Sequence, residues 1–209
     1  PIPPVAREDA FSEPNLRSGR LPQYSRVGLA AVAFALRDAG MEHWETKRSA
    51  GIVASTRTGC LATDIDYYDT VLPEGGGLPS PILFSCTLPT CFLGEAAIQF
   101  GLTGPSLIVD DPAEDALSGV RMALESLSWG ESDTMVAGHI DLPAGPAFPG
   151  IRPPLAGGLF MVLTNARDSA ASGYGTLDLS EGGAVRHNGI AISGLNELVR
   201  ACLAFPGPS

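Results

Sequence analysis

Two kinds of hydrophobic pattern alternate along the chain, and each predicts a different type of secondary structure. Short runs rich in apolar residues predict buried strands, and they lie at residues 50–55, 106–110 and 132–141. Longer stretches with apolar positions at helical spacing predict helices at residues 24–39, 60–72, 89–100 and 113–129. Gly40 and Gly130 follow the first and last of these stretches, where glycine commonly ends a helix.

The last third of the chain continues this alternation less regularly. Residues 156–166 and 174–180 predict two successive strands that pair as a hairpin. Residues 181–192 show no regular pattern, and residues 193–205 predict an amphipathic helix capped by Ser193. The resulting order, βαβαβαββ, indicates an α/β fold in which helices cover a mixed, largely parallel sheet.

Shifts in composition divide the chain into three parts. Residues 1–22 contain five prolines together with several charges, which predicts an extended N-terminal arm. Residues 23–180 carry the alternating strands and helices and form the predicted domain. Residues 181–209 are expected to be a tail with one amphipathic helix.

The segment GPSLIVDDPAEDAL, residues 104–117, has the composition of a strand that turns sharply into a helix. Asp111 suits the N-cap of that helix, Pro112 suits its first position, and Glu114 follows three residues after the cap, as in a capping box. Asp115 adds a negative charge that favours a helix N-terminus. Many enzymes place a nucleophile at such a corner, yet the turn DDPAED contains no Cys, Ser or Lys.

The net negative charge of the chain disfavours some classes of binding partner. The 209 residues include 13 basic and 23 acidic side chains, which gives a net charge of -10 at pH 7. Nucleic acids and anionic membrane surfaces need a basic face, so neither is expected as a partner. No apolar run reaches the ~20 residues of a membrane span and no signal peptide is visible, so we expect a globular cytoplasmic protein.

Neither a metal nor a cofactor is expected from the sequence. The four cysteines show no paired spacing and the three histidines are scattered, so they form no pattern of zinc ligands. Reduced thiols, most of them buried, are the expected state of the cysteines. The glycines at 75–77 lack the flanking strand and helix that a nucleotide-binding motif needs.

A wider window around the corner resembles the nucleophile region of the β-ketoacyl synthases, condensing enzymes of the thiolase-like superfamily that act in fatty acid and polyketide assembly. In that family a Gly-Pro-Ser strand ends in Asp-Thr-Ala-Cys, and the next helix runs to a Gly-Glu-x-Asp turn and a strand ending in Ala-Gly-Gly. The chain keeps this pattern, without gaps, at Gly104, Pro105, Ser106, Asp110, Leu117, Gly130, Glu131, Asp133, Ala137 and Gly138. With further matching segments on both sides, the resemblance covers residues 24–180 and implies the N-terminal half of a thiolase-like fold.

The departures from the family pattern concern its chemistry. Ala113 stands at the position of the family's cysteine, and a methyl group cannot become a thiolate or hold an acyl group. Asp111, Glu114 and Asp115 replace small or hydroxyl residues, and their charges would raise the pKa of a thiol placed there. The two histidine motifs of the family are absent, and RHNGI around His187 does not replace them. The resemblance therefore implies a homologue without a nucleophile, and no catalytic residue is expected.

A few residues are candidates for some other chemistry. Cys91 lies near a helix start and could be partly activated, although its apolar surroundings favour a buried structural thiol. Cys86 is expected in a strand or at a strand end, with the same structural role. His139 follows the Ala-Gly strand end, and a solvated or capping role is expected for it. Glu114 and Asp115 could act as bases if a pocket faced them, but acids in a first helical turn usually interact with the helix dipole.

The resemblance also implies surfaces for association. In the layered fold of condensing enzymes the nucleophile helix packs against its counterpart in the second half, so this chain alone would expose an apolar stripe. The expected interface residues on that stripe are Leu117, Val120, Leu124 and Leu127. Either the C-terminal helix folds back over the stripe, or another chain covers it. In the family the strand matching Leu107, Ile108 and Val109 pairs across a dimer, which makes this strand a second candidate contact.

The resulting hypothesis is a non-catalytic subunit of fatty acid or polyketide biosynthesis that associates with itself or with an active ketosynthase. Its role would resemble that of a chain length factor, which shapes the acyl tunnel or helps to dock an acyl carrier protein. The alternative is a divergent acyltransferase or decarboxylase that acts on carrier-bound acyl groups through Cys91 or the acids of the corner. A third hypothesis is an acyl-chain binding protein with an apolar cleft beside Phe84, Phe92 and Phe100.

Overall fold

A four-stranded sheet stands at the centre of the computed structural model, which describes residues 10–12, 18–73, 75–145, 148–151, 153–165 and 173–205. Its strands are β1 (Ala50–Thr56), β2 (Ser106–Asp110), β3 (Thr134–Asp141) and β4 (Gly157–Thr164). They lie in the order β2-β1-β3-β4; the first three are parallel, and β4 runs antiparallel to β3. A smaller antiparallel sheet consists of β5 (Leu177–Leu179), β6 (Val185–His187) and β7 (Ile190–Ala191).

Helices pack on both faces of the central sheet. They are α1 (Gln23–Asp38), α2 (Leu61–Val71), α3 (Pro81–Phe84), α4 (Cys91–Phe100), α5 (Ser118–Trp129) and α6 (Leu195–Ala204), and a short 3₁₀ turn covers Ser18–Arg20. α1 and α4 share one hydrophobic cluster with one face of the sheet, whereas α5, β6 and α6 share a second cluster with the other face.

β3 shows how one strand contributes to both clusters. Val136 and Ile140 pack in the cluster with α1 and α4, and Met135 and Ala137 pack in the cluster with α5. The sides alternate because successive side chains of a strand point to opposite faces. Burial on both faces is typical of a parallel sheet. The structure thus confirms the predicted α/β fold with a mixed, largely parallel sheet.

α5 lies directly on the backbone of the sheet. A Cβ atom at Gly119 would stand 2.4 Å from the carbonyl oxygen of Gly138 in β3 and 2.9 Å from the backbone nitrogen of Ser55 in β1. Only glycine permits this approach, because any side chain would collide with the strand backbone. The close contact fixes where the turn before α5 lies relative to the ends of β1 and β3.

The C-terminal part of the chain differs from its prediction. The expected hairpin between residues 156–166 and 174–180 is wrong, because β4 pairs with β3 and β5 pairs with β6. The stretch predicted to be irregular, 181–192, contains β6 and β7. Asn188 and Gly189 join these two strands with φ of 50° and 81°. Asn-Gly is the residue pair that favours such a tight hairpin turn, so the sequence did carry this signal.

Two further predictions in single elements are wrong. Cys86 lies in the turn after α3, whereas it was expected in a strand. α6 begins after Gly194, and Ser193 does not cap it. The N–H and hydroxyl of Ser193 instead donate to the carboxylate of Glu197, at 2.7 Å and 2.5 Å.

The structure bears on both predicted domain boundaries. The arm, residues 1–22, lies mostly outside the described residues, but Ala10 and Phe11 are buried in the cluster of α1 and α4. The boundary between residues 180 and 181 falls between β5 and β6, which pair with each other. The tail is therefore built into the same body as the domain. In the described part of the chain, no helix combines the length and apolar character needed to cross a bilayer.

Candidate functional site

The turn between β2 and α5 does not form the predicted capping box. α5 begins at Ser118, whereas the prediction began the helix at Ala113. Glu114 and Ala116 adopt left-handed backbone conformations, with φ of 58° and 59°. Each such conformation costs a residue with a Cβ atom roughly 1–2 kcal/mol, so contacts from elsewhere must hold the turn. The carboxylate of Asp111, predicted to cap the helix, instead accepts a hydrogen bond from Ser118 Oγ at 2.7 Å.

Asp115 holds the second half of this turn. Its carboxylate accepts a hydrogen bond from the backbone N–H of Leu117 at 2.9 Å and forms an ion pair with Arg121. Burial raises the pKa of the Asp115 carboxyl, but Arg121 and the Leu117 N–H outweigh burial and lower it below its usual value. The backbone carbonyl of Asp115 also accepts a hydrogen bond from the N–H of Leu195 in α6, at 2.9 Å. The turn is thereby tied to the C-terminal helix.

Ala113, at the position of the family's nucleophile, is exposed on this turn. Its neighbour Glu114 is also exposed and forms an ion pair with Arg57, which follows β1. The hydrogen bond with this carboxylate raises the pKa of the Arg57 guanidinium above its usual value. The candidate base Glu114 is therefore half of a surface ion pair.

His139 is buried, so the predicted solvated or capping role is wrong. The side chain is 3% exposed. Its Nδ1 lies 3.0 Å from Ser55 Oγ and 3.6 Å from a carboxylate oxygen of Asp111, and its Nε2 lies 3.1 Å from Asp141 Oδ2. The imidazole thus joins the carboxyl ends of β1 and β3 to the turn after β2. Among the described residues, no thiol takes part in this cluster.

Asp141 anchors the loop that follows β1. Its carboxylate accepts hydrogen bonds from Thr56 Oγ1 at 2.7 Å, from the backbone N–H of Arg57 at 3.0 Å, and from the N–H and hydroxyl of Thr58, both at 2.9 Å. Burial raises the pKa of this carboxyl, but the hydrogen bonds from His139, Thr58 and Thr56 outweigh burial and lower it. Asp141 is therefore a buried anion with a complete set of donors.

Ser55, His139 and Asp141 form a hydroxyl–imidazole–carboxylate series, as catalytic triads do. The hydroxyl of Ser55 has no exposed surface, and Asp141 has none either. A nucleophile must reach its substrate, so this series cannot attack one in the observed conformation. Its hydrogen bonds instead hold the strand ends and the turn together.

The sequence offered a signal for this cluster. His139 and Asp141 are two residues apart on one strand, so their side chains share a face. Ser55 is paired with His139 in the register of β1 and β3. The carboxyl ends of parallel strands meet at one edge of a sheet, which places polar residues at those ends close together. The sequence-based prediction gives no role to Ser55 or Asp141.

The remaining candidate, Cys91, is the first residue of α4 and is partly buried. Its Sγ lies 3.5 Å from Cys86 Sγ. Burial, reinforced by Cys86, raises the pKa of the Cys91 thiol to about 11. Among the described residues, no hydrogen bond or ion pair connects any two of Cys91, Glu114 and His139, so the structure does not bring the three candidates together. The described residues also contain no cluster of His, Cys, Asp or Glu suited to a metal ion.

The predicted interface residues fall into two groups. Leu117 and Val120 are fully buried and Leu127 is nearly so, because Val185 of β6 and two leucines of α6 pack in the same cluster. The chain's own C-terminal segment thus packs over the stripe, which is the first of the two alternatives left open by the sequence; Leu124 is partly buried in this cluster. Leu107, Ile108 and Val109 lie on β2, whose only partner within the described sheet is β1. β2 is therefore an edge strand.

Comparison with known proteins places the chain in a family. The sequence profile described as Beta-ketoacyl synthase, N-terminal domain, matches residues 8–185. A polyketide β-ketoacyl synthase of Streptomyces virginiae is 28% identical over 209 residues, a region that covers 93% of this chain and 47% of the relative. The chain spans about half the length of this relative.

Solved structures show the same fold. The ishigamide ketosynthase/chain length factor aligns with a TM-score of 0.63 and 16% identity, over 81% of this chain and 50% of that one. A chain from the complex of a type II polyketide acyl carrier protein with its ketosynthase aligns with a TM-score of 0.64 and 18% identity. The alignment covers 78% of this chain and 52% of that one. The chain thus has the fold of about half of a ketosynthase subunit. The chain is a member of the β-ketoacyl synthase family and corresponds to its N-terminal domain.

Proposed function

We propose that the chain is a non-catalytic β-ketoacyl-synthase-like subunit that works beside an active ketosynthase in polyketide or fatty acid assembly. The observation that carries this proposal is the methyl group of Ala113 at the exposed turn where the family places its cysteine. A methyl group cannot attack a thioester or hold an acyl chain.

The surroundings of Ala113 also oppose the family's chemistry. A helix N-terminus stabilises anions through its free N–H groups. Here α5 begins only at Ser118, and the carboxylate of Asp115 already occupies the N–H of Leu117. Asp111 and Glu114 add two more carboxylates to the turn. A thiolate or an enolate at this place would therefore meet negative charge where the family provides a stabilising site.

An exposed apolar surface on α2, α3 and the loops beside them supports association with a partner. α2 buries only Thr63, and α3 buries none of its residues. Apolar side chains that are each more than half exposed lie along this surface, namely Tyr68, Leu72, Leu78, Ile82, Phe84 and Leu88. α2 and α3 contact each other, so their exposed apolar side chains lie in one region of the surface, and apolar patches on a protein surface commonly mark interaction sites. We call it the α2–α3 surface.

The charge around this surface favours a different protein over a second copy. Residues 58–120 contain nine acidic and no basic side chains, whereas the other 146 residues contain 14 acidic and 13 basic ones. Asp66 and Asp69 of α2 are exposed at the α2–α3 surface. Two copies would oppose like charges, which disfavours pairing, whereas a partner with Lys or Arg around an apolar centre would be complementary. We therefore propose a heteromeric complex, with the β2 edge as a second contact.

A role like that of a chain length factor follows from this proposal. One structural neighbour is a ketosynthase/chain length factor and another is a ketosynthase with an acyl carrier protein. A subunit without a nucleophile can shape the acyl tunnel of its partner or contribute to the docking of the carrier protein. The four cysteines are all free thiols, which suits a reducing compartment such as the cytoplasm.

The other two hypotheses find less support in the structure. The raised pKa of Cys91, and a thiol as its neighbour, do not suit an acyl-transfer nucleophile. Phe92 and Phe100 are core residues, and Phe84 is exposed against Tyr67, so the three do not line one cleft. An apolar groove of about 430 Å³ lies instead in the loop after β3, lined by Pro143, Gly145, Phe148, Pro149, Ile151, Pro153 and Ala156.

Co-expression with a type II ketosynthase and an acyl carrier protein tests the proposal. We expect a stable complex of this chain with the ketosynthase, and acyl groups on the ketosynthase but none on this chain in intact-mass spectra. A chain that stays monomeric and binds neither protein would overturn the proposal. An acyl adduct on this chain would instead favour the acyltransferase.

A further inference from the structure

Two thiols meet at the junction of α3 and α4. Cys86 lies in the turn after α3, Cys91 is the first residue of α4, and their sulfur atoms are 3.5 Å apart. Both are free cysteines. A disulfide bond has sulfur atoms about 2.05 Å apart, so closing the bond requires an approach of about 1.5 Å.

Local hydrogen bonds hold the two cysteines in this arrangement. The backbone N–H of Cys86 donates to the carbonyl of Leu83 at 2.9 Å, and that of Cys91 donates to the carbonyl of Leu88 at 3.0 Å. Both cysteines therefore lie in tight turns at the two ends of the segment 87–90. The contact between the sulfurs is built into the fold of this segment.

The two cysteines differ in access to solvent. Cys91 is partly exposed, whereas Cys86 is 4% exposed. A small oxidant therefore reaches Cys91 first, and Cys86 stands behind it within bonding reach. Its exposure makes Cys91 the attacking cysteine, and Cys86 is placed to resolve the product.

A third thiol, Cys60, is a poor competitor. Its Sγ lies 3.6 Å and 3.7 Å from the two carboxylate oxygens of Asp64. Burial, together with this carboxylate, raises the pKa of the Cys60 thiol to about 12. The Cys60 side chain is also buried, whereas Cys91 is partly exposed, so a small oxidant reaches Cys91 more easily.

We propose that Cys86 and Cys91 form a reversible disulfide site that takes its oxidising equivalents from a small-molecule disulfide such as oxidised glutathione. The Cys91 thiolate attacks one sulfur of the oxidant, the sulfur–sulfur bond of the oxidant breaks, and one reduced glutathione leaves with a proton. The Cys86 thiolate then attacks the Cys91 sulfur and expels the second glutathione. Two protein thiols lose two electrons and two protons, and the oxidant gains both.

The environment of Cys91 sets the rate of the first step. Its pKa of about 11 keeps the thiolate a minor species at neutral pH. The reaction is therefore slow near neutrality, and its rate rises about tenfold per pH unit until the pH approaches that pKa. This proposal stands on the two thiols alone and does not depend on the function proposed above.

The positions of the protease cleavage sites allow a specific assay for the disulfide between Cys86 and Cys91. No Lys or Arg lies between Arg57 and Arg121, so trypsin leaves three cysteines on one fragment. Cleavage after Glu74 and Glu95 instead isolates Cys86 and Cys91 on the peptide 75–95 and leaves Cys60 on another. The full-length protein would be incubated with oxidised glutathione, quenched with N-ethylmaleimide, digested with a glutamyl endopeptidase and analysed by mass spectrometry.

We expect the peptide 75–95 to be about 2 Da lighter and to resist the maleimide until it is reduced. Cys202, a partly buried cysteine outside this junction, provides the internal control and should form only a mixed disulfide with glutathione. In Cys86→Ser the mixed disulfide between Cys91 and glutathione should persist, because the resolving thiol is absent. Once Cys91 carries glutathione, Cys86 should displace it at least about tenfold faster in the folded protein than in denaturant, because the fold holds the two sulfurs together.

Three results would overturn the proposal. One is a peptide containing Cys60 linked to the peptide 75–95. Another is full maleimide labelling of Cys86 and Cys91 under conditions in which Cys202 has reacted. The third is a mixed disulfide on Cys91 that Cys86 displaces as fast in denaturant as in the folded protein.

Discussion

The hydroxyl of Ser118 donates a hydrogen bond to the carboxylate of Asp111 at 2.7 Å, across the turn where the family places its nucleophile. Asp111 also lies 3.6 Å from the imidazole of His139. The strand end, the turn and the start of α5 are thus joined by polar side chains that are buried or partly buried. This arrangement explains how the corner persists in a chain whose residue 113 has no reactive group.

Restoring the thiol alone should not restore the chemistry. We expect Ala113→Cys to form no acyl adduct with an acyl thioester, because Asp111, Glu114 and Asp115 raise the pKa of a thiol at this turn. Intact-mass spectrometry after incubation with the thioester would measure the adduct, with an active ketosynthase as the positive control. Stoichiometric acylation of the variant would show that the turn is competent and only the sulfur is missing.

Removing His139 should destabilise the fold strongly. His139→Ala takes the imidazole away from the buried Asp111 and Asp141 carboxylates, and each buried polar group left without a partner typically costs about 1–3 kcal/mol. Asn196→Ala, at an exposed position on α6, should stay within about 0.5 kcal/mol of the parent. Urea unfolding followed by circular dichroism would give both values. A loss below about 1 kcal/mol for His139→Ala would contradict a structural role for this cluster.

Asp141 should make stability depend on pH in the acid range. Its pKa is lower in the folded protein than the usual value near 4, so the ionised carboxylate stabilises the fold above that value. This contribution is lost as the pH falls through the folded pKa. Asp141→Asn should therefore be less stable than the parent by about 1–3 kcal/mol near neutral pH.

The difference between Asp141→Asn and the parent should shrink as the pH falls below about 4. Free energies of unfolding measured in urea across that range would show the convergence. Asp69→Asn, an exposed acid on α2, should follow the parent curve closely. A constant offset at every pH would mean that ionisation of Asp141 does not contribute.

Two glycines in helices should respond to alanine in opposite directions. Gly119→Ala places a Cβ 2.4 Å from the Gly138 carbonyl and should cost at least about 3 kcal/mol, because α5 must leave the sheet. Gly94→Ala in α4 meets no atom within 4 Å and should stabilise the protein by about 0.5–1 kcal/mol through helix propensity. Thermal unfolding of the two variants would reveal the opposite signs, and equal shifts would contradict the observed seating of α5.

The α2–α3 surface should matter for assembly but not for folding. Ile82→Ser with Leu88→Ser should leave the unfolding free energy within about 0.5 kcal/mol of the parent, since both side chains are more than half exposed. The same pair should weaken binding to a ketosynthase partner at least about tenfold, as measured by calorimetry. Leu203→Ser, exposed on α6, serves as the control and should bind like the parent.

Charge should contribute to the same contact. Asp66→Asn with Asp69→Asn should weaken the binding and reduce its dependence on salt, because the two acids flank the surface. Unchanged affinity in both pairs of variants would exclude the surface as the contact. If this chain alone forms dimers, and the variants with serine on the α2–α3 surface are monomeric, then the surface mediates pairing between two copies of the chain.

The central fold could be predicted because its signals are local. β2 lies at the predicted residues, and α1 is shifted by a single residue, since buried runs and helical spacing specify them without reference to distant residues. The order of strands and helices then indicated the layered sheet. The Asn188–Gly189 turn is a local signal too. Because the prediction left out the β6–β7 hairpin that this turn forms, it paired β5 with β4, whereas β5 pairs with β6.

The candidate site could not be predicted in the same way. Asp111, Pro112 and Glu114 satisfy every local rule for a helix start, yet α5 begins later. The reason is distant in sequence, because the carbonyl of Asp115 bonds to the N–H of Leu195 and the carboxylate of Asp111 faces His139. These long-range contacts hold a turn in which two residues have left-handed backbone conformations. The residues near the turn in sequence give no indication of such contacts.

The hairpin and helix that lie over α5 limit how larger structures can grow from this molecule. Arg121 of α5 donates to the carbonyl of Gly183, and Leu195 and Leu198 fill the space beside Val120. A further protein layer could not seat on α5 without first expelling the chain's own C-terminal residues. A partner of the proposed complex would therefore bind elsewhere, at the exposed edge of β2 or at the α2–α3 surface.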